Sequence, residues 1–142
     1  MSETMKAAVL HAVGDMRIED VPKPVVTSPD DVLIRITSVG ICGSDIHFLK
    51  HGRIGNIILD KPTIMGHESA GEVVGIGSAV TRVEPGDLVA IEPGKTCRRC
   101  EFCKSGHYNL CREVVFLAAP PADGAFCEYL VWPEDFVFKM PE

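Results

Sequence analysis

The stretch "ICGSDIHFLKHGRIG", Ile41 to Gly55, places Cys42, Ser44 and His47 within six residues. Further on, "IMGHESAGEV" sets His67 beside Glu68. Cysteine, histidine and glutamate form a donor set that suits a catalytic zinc, which keeps three protein ligands and one open position. Such an ion binds water or an alcohol oxygen and lowers its pKa. The thiolate and the carboxylate would together balance its charge. Ser44 could then take a proton from an alcohol hydroxyl, and His47 could pass it outward. Plainer readings stand beside these. A lone cysteine is commonly a small buried hydrophobe, Ser44 suits a helix cap, and His47 suits a helix surface.

A second group carries a different metal signal. "CRRCEFCKSGHYNLC" has the spacing C-x2-C-x2-C-x7-C, through Cys97, Cys100, Cys103 and Cys111. Structural zinc takes four tetrahedral ligands, often all thiolates. A metal at this spacing can order a loop that has no apolar core of its own. Four thiolates leave the site anionic, and Lys95, Arg98, Arg99, Lys104 and Arg112 lie close in sequence to offset that charge. The bacterial iron–sulfur pattern ends C-x3-C-P. Here the last gap is seven and Arg112 follows Cys111, which argues against a cluster. A basic zinc lobe can also serve nucleic acid. The formal net charge of −6 makes phosphate backbones a poor partner.

These residues need elements to hold them. Ten prolines and thirteen glycines punctuate the chain at short intervals, which favours short strands over long helices. "KAAVLHA" and "MRIEDVP" flank a Gly-Asp turn and read as a hairpin. "DDVLIRITSVG" reads as a strand with Val32, Ile34 and Ile36 on one face. Ser44 is expected to cap a short helix through "SDIHFLKHG", with Asp45 near its positive end. Residues 52–63 read as irregular. "SAGEVVGIG" resumes a strand, "VEPGDLVAIEP" centres a type II turn on Pro-Gly, and "GAFCEYLVW" and "DFVFKMP" read as two more strands. "GIGSAV" is not G-x-G-x-x-G and is followed by turn residues, so it is no dinucleotide loop. With 142 residues and 46% hydrophobic content, the chain can build one domain core. The start shows neither a signal peptide nor a membrane span, and a cytoplasmic protein is expected.

Taken together, the motifs resemble the zinc-dependent medium-chain dehydrogenase/reductase family. "GICGSDIH", "GRIG", "KPTIMGHESAGEVVGIGSAV", "PGDLVAIEPG", the four-cysteine lobe and "YNLC" stand in family order and cover nearly the whole chain. "HGRIGNIILDKPTIMGHE" and "FLAAPPADGAFCEYLVWPEDFVFKMPE" narrow the likeness to polyol dehydrogenases of the sorbitol, xylitol and arabinitol type. The resemblance implies a mainly β fold, a GroES-like β-barrel with short helices and a structural-zinc loop lobe. It implies Cys42, His67 and Glu68 as ligands of a catalytic zinc, and Cys97, Cys100, Cys103 and Cys111 as ligands of a structural one. Ser44 is implied as the hydroxyl at the substrate oxygen, and His47 as the relay histidine. Ile54 and Ile57 fall where sorbitol-type enzymes line the substrate pocket. Phe48 stands where those enzymes commonly carry tyrosine, which removes a hydroxyl and bears on which polyol fits. Cys127 is expected in a strand, as core.

The family continues into a Rossmann domain that binds NAD, and residues 1–142 are expected to be the GroES-like catalytic portion without it. The expected function is oxidation of a secondary alcohol of a small polyol to a ketose with NAD in the complete enzyme. The isolated chain should be inactive. No nucleic acid and no membrane are expected as partners, and a homo-oligomer only for the complete enzyme. The alternative is a stand-alone, non-catalytic zinc-binding GroES-like domain or interaction fragment. Threonine and butanediol dehydrogenases would differ only in substrate.

Overall fold

Met5, Ala7 and Val9 alternate with less buried neighbours, and that alternation folds as a strand, Thr4–Ala12 (β1). In this computed structural model, which describes residues 3–141, β1 turns back into Asp15–Pro22 (β2). Val32 and Ile34 are fully buried on Asp31–Gly40 (β3). A helix, Gly43–His51 (α1), follows. Residues 52–63 are not wholly irregular: Arg53–Ile54 (β4) and Ile57–Ile58 (β5) pair as a minimal hairpin. Each of these strands has two residues, too short for a period to show. Thr63–Ile64 (β6) and Glu68–Ile76 (β7) come next. A turn closed by Asp87 N–H to the Glu84 carbonyl, 3.1 Å, leads into Leu88–Ile91 (β8).

The cysteine-rich stretch lies between Gly94–Lys95 (β9) and Val115–Phe116 (β10), which pair with each other. Within it are one helical turn, Glu101–Lys104 (α2), and a 3-10 turn, Tyr108–Leu110. The last strands are Tyr129–Pro133 (β11) and Val137–Lys139 (β12). Both are shorter than expected. A 3-10 turn, Glu134–Phe136, separates them, and residues 124–128 stay outside β11.

Five strands form one antiparallel sheet in the order β11-β3-β7-β8-β12, and three form another in the order β2-β1-β6. The segment before β11 sews them together. Ala8 N–H donates to the Phe126 carbonyl at 2.8 Å, and Ile36 N–H donates to that of Glu128 at 2.9 Å. The result is a curled, barrel-like β fold, as the GroES-like resemblance implies. Its main core is Val32, Ile34, Val73, Val89, Trp132 and Val137 with their neighbours. Leu10, Phe48, Met65 and Ala118 form a second core under α1.

The same segment straps the turn that carries His67. Gly124 N–H donates to the Ile64 carbonyl, Phe126 N–H to Met65 and Ala125 N–H to Gly66, at 2.7–2.8 Å. Cys127 is half-buried in this seam and pairs with Ala7 through a single bridge. Burial pushes its thiol up to about 12, and the S–H donates to the Tyr129 carbonyl at 3.2 Å. It is a neutral donor of the seam rather than a residue of β11.

Two carboxylates fasten the loops around β8. Buried Glu134 accepts from the amides of Thr81, at 2.6 Å, and Arg82. Glu134→Ala would orphan both, and urea denaturation should show a loss of about 2 kcal/mol, smaller for Glu134→Gln. Asp87 accepts from Lys139 Nζ at 2.6 Å and from the Glu84 amide at 3.0 Å, and these bonds hold its carboxyl below the ordinary 3.8. A lowered carboxyl stabilises the fold above its ordinary pKa and loses that contribution as pH falls through the lowered one. Asp87→Asn should therefore be less stable than the parent at pH 7, with the gap closing as pH drops below 3.8.

Candidate metal and substrate site

Cys42 follows the end of β3, and His67 and Glu68 stand at the start of β7. The two strands pair antiparallel, and their register sets Gly40 opposite Glu68. Residues far apart in sequence are thus delivered to one sheet end. A Cβ at position 40 would press on the Glu68 carboxylate, so glycine lets that side chain lie where it does without being pushed aside. Gly66, next to His67, has φ +87°, and a Cβ there would meet the Phe126 ring at 2.5 Å. The glycine of "GHE" is therefore required twice, for its backbone and for the space beside it.

One ligand atom from each of Cys42, His67 and Glu68 lies within 4.8 Å of the others. Cys42 and His67 are half-buried and Glu68 is exposed. A thiol, an imidazole and a carboxylate at this spacing fit a zinc ion with one position left open. Ser44 Oγ lies 3.4 Å from His67 Nε2.

Ser44 is not the cap of α1, contrary to the sequence expectation. Cys42 holds the cap position with extended backbone, and the helix starts at Gly43. Asp45 Oδ2 accepts from the Cys42 amide at 2.9 Å, which frees the Ser44 hydroxyl to face the site.

Asp45 does more than the sequence suggested. It is 3% exposed. Its Oδ1 accepts from the Gly66 amide at 3.1 Å and lies 3.7 Å from His67 Nδ1. The carboxylate thus stands behind the imidazole on its Nδ1 side, while Nε2 faces Ser44. Nothing in "SDIH" alone announces this, because its partners stand 21 and more residues away. His47 lies one turn beyond Ser44, exposed, its ring 4.6 Å from that of His51. Among the described residues no hydrogen bond joins it to Ser44.

A cavity of about 260 Å³ opens beside the cluster. Ser44, His67, Phe48, Ile54 and Ile57 line it, so the expected pocket residues meet one of the expected ligands, His67, while Cys42 and Glu68 stay outside the lining. Phe116 also lines it, its ring 5.5 Å from that of His67. The sequence reading missed Phe116, which arrives by the non-local β9–β10 pairing.

The lobe cysteines also converge, with all four sulfurs within 4.8 Å of one another. Thiolates bound tetrahedrally at about 2.3 Å lie roughly 3.8 Å apart. Cys97 and Cys103 are separated by 3.9 Å, Cys100 and Cys103 by 3.4 Å. These are spacings for a shared ion, far outside disulfide length. The amides of Arg99 and Cys100 hold the Cys97 thiol down to about 6, against burial. At Cys100 the Cys103 amide acts the same way, but burial and the neighbouring thiols outweigh it and push the thiol up to about 11.

The nearby cations were expected to offset the sulfur charge; Arg99 does lie against the Cys97 sulfur, and three of them are also engaged by carboxylates. Arg98, with φ +61°, bridges Asp30 and Asp135 at 2.8 Å each and docks the lobe on the barrel. Arg99 pairs with Glu113 at 2.8 Å and Arg112 with Glu101 at 3.6 Å.

The alcohol dehydrogenase GroES-like domain model matches residues 28–142. The chain belongs to that family. Over 140 residues it is 53% identical to sorbitol dehydrogenase of Bacillus subtilis, covering 99% of this chain and 39% of that protein. It is 51% identical over 134 residues to D-xylulose reductase A of Aspergillus niger, covering 94% and 37%. Galactitol-1-phosphate dehydrogenase from Escherichia coli superposes with a TM-score of 0.86 at 33% identity, over 96% of this chain and 38% of that one. The chain thus spans under two fifths of the length of these relatives. Members of the GroES-like family with polyol-type names are what the narrower resemblance anticipated. Among the described residues no helix is long and apolar enough to cross a membrane.

If the lobe holds zinc, proton competition should show the Cys97 shift. Above about 6 that sulfur is already a thiolate and releases no proton on binding; below it, one more proton must leave. The dependence of zinc affinity on pH, measured by competition with a chelator, should steepen as pH falls through that value. Cys100→Ser should abolish this zinc binding.

Proposed function

We propose that this chain is the metal- and alcohol-binding portion of a polyol dehydrogenase, which oxidises a secondary hydroxyl of a small polyol to a ketone. The observation that carries the reading is convergence. Ser44, His67 and the apolar side chains of Phe48, Ile54 and Ile57 meet at one cavity, with Cys42 and Glu68 at hand. The sorbitol and xylulose names of the relatives favour an acyclic polyol.

Cys42, His67 and Glu68 would hold a zinc ion. When bound, zinc supplies Lewis acidity, which lowers the pKa of an alcohol oxygen. The chain's own residues do the rest. Asp45 fixes the ring of His67 from behind. The Ser44 hydroxyl is placed to take the substrate's hydroxyl proton, and exposed His47 to exchange protons with water. The two share no hydrogen bond, so a substrate, cofactor or water group must connect them. Phe48, Ile54, Ile57 and Phe116 exclude water from the carbon that loses hydride. Oxidation removes that hydride with the hydroxyl proton, and a nicotinamide cofactor, NAD in this reading, accepts it.

The nicotinamide would be held by residues beyond these 142. Exposed apolar side chains around the site fit such a covering. Ile41 is 73% exposed and Ile58 54%, with Ile57, Val114 and Val115 also uncovered.

Cobalt exchanged into the Cys42 site, with zinc kept in the lobe, gives the direct test. Xylitol or sorbitol should shift the cobalt absorption bands, and Cys42→Ser should abolish both bands and shift. Bands that ignore every polyol would favour a non-catalytic zinc-binding domain. The chain alone should reduce no NAD. Polyol oxidation by the purified chain, lost in Cys42→Ser, would overturn the placement of the cofactor half elsewhere.

A further inference from the structure

We propose that His47 and His51 form a separate metal site, for a divalent transition cation that favours imidazole and right-angled coordination, Cu²⁺ or Ni²⁺. The two residues stand four apart on α1, where side chains share a face. The same i, i+4 spacing of histidines on a helix underlies known zinc sites. Their ring centres lie 4.6 Å apart, with the planes tilted by 54°. For metal–nitrogen bonds of about 2.0–2.1 Å, two imidazoles at a right angle put their ring centres roughly 4.5 Å apart, and a tetrahedral pair roughly 5.2 Å apart. The observed 4.6 Å is close to the right-angle value, the angle of tetragonal Cu²⁺ and Ni²⁺ sites, once each ring turns a nitrogen toward one ion.

The other three of the five histidines are engaged. His11 meets Glu19 at 2.6 Å, His107 meets Ser105 at 3.2 Å, and His67 lies between Ser44 and Asp45. Among the described residues, the ring nitrogens of His47 and His51 have no hydrogen-bond or ion-pair partner. Both side chains are exposed. His51 is the last residue of α1, where the helix dipole favours a cation. Of the nearby cations, Arg53 is turned onto the Gly55 carbonyl at 2.7 Å. Lys50 has a long flexible stem that can swing clear. Water would complete the coordination.

Occupancy would occupy the nitrogen that His47 needs for proton exchange, so the cation would inhibit. That consequence rests on the proposed function; the binding does not. Zinc-loaded protein titrated with Ni²⁺ and followed by proton NMR reads the binding directly. One nickel equivalent beyond the zinc should broaden the ring signals of His47 and His51 together, before those of His11 and His107. His51→Asn, at an exposed position, should keep its zinc and lose that equivalent. Undiminished nickel binding by His51→Asn, or nickel that broadens His11 or His107 first, would overturn the proposal.

Discussion

The pairing of β3 with β7 is the constraint on which the site depends. Gly40 faces Glu68 across it, so the loop leaving one strand and the turn entering the other meet at the same sheet end. A slip of one residue would turn the buried face of one strand outward, exposing either Val32 and Ile34 or Val73. The core therefore enforces the register, and the register enforces the distance between Cys42 and His67. Hydrophobic burial, far from any chemistry, sets the geometry of the donors.

Around that pairing the two cysteine-bearing regions are built on different terms. The cluster at Cys42 sits on rigid elements and is backed by Asp45, buried among hydrogen bonds that it completes for both α1 and the Gly66 turn. The lobe has almost no apolar interior. Its sulfurs, amides aimed at sulfur, and the Arg98 bridge to Asp30 and Asp135 take the place of a core. A residue with left-handed backbone at the centre of that bridge shows that docking is favourable enough to hold an uncommon conformation.

Much of this was legible in the residues. The alternation of Val32 and Ile34 announced β3, the close cysteine spacing announced the lobe, and the Pro-Gly pair announced the turn into β8. What was hidden depended on contacts across the chain. Cys42 takes the cap position because Asp45 satisfies its amide, and a serine two residues later looked the better candidate by type alone. Asp45 could be read as helix chemistry, but its second bond to Gly66 is a tertiary fact. Phe116 reaches the cavity only because β9 and β10 pair across the lobe. The β4–β5 hairpin carries too few residues for any period to reveal it.

The strap at residues 124–126 has a consequence for the order in which the chain is made. Asp123, at its edge, accepts from the Ile64 amide from 59 positions downstream. At about 5–20 residues per second, translation leaves the turn that carries His67 waiting roughly 3–12 s before the strap that fastens it has been made. Until then nothing fastens that turn, so the distance between the Cys42 thiol and the His67 imidazole is set only when residues 124–126 arrive.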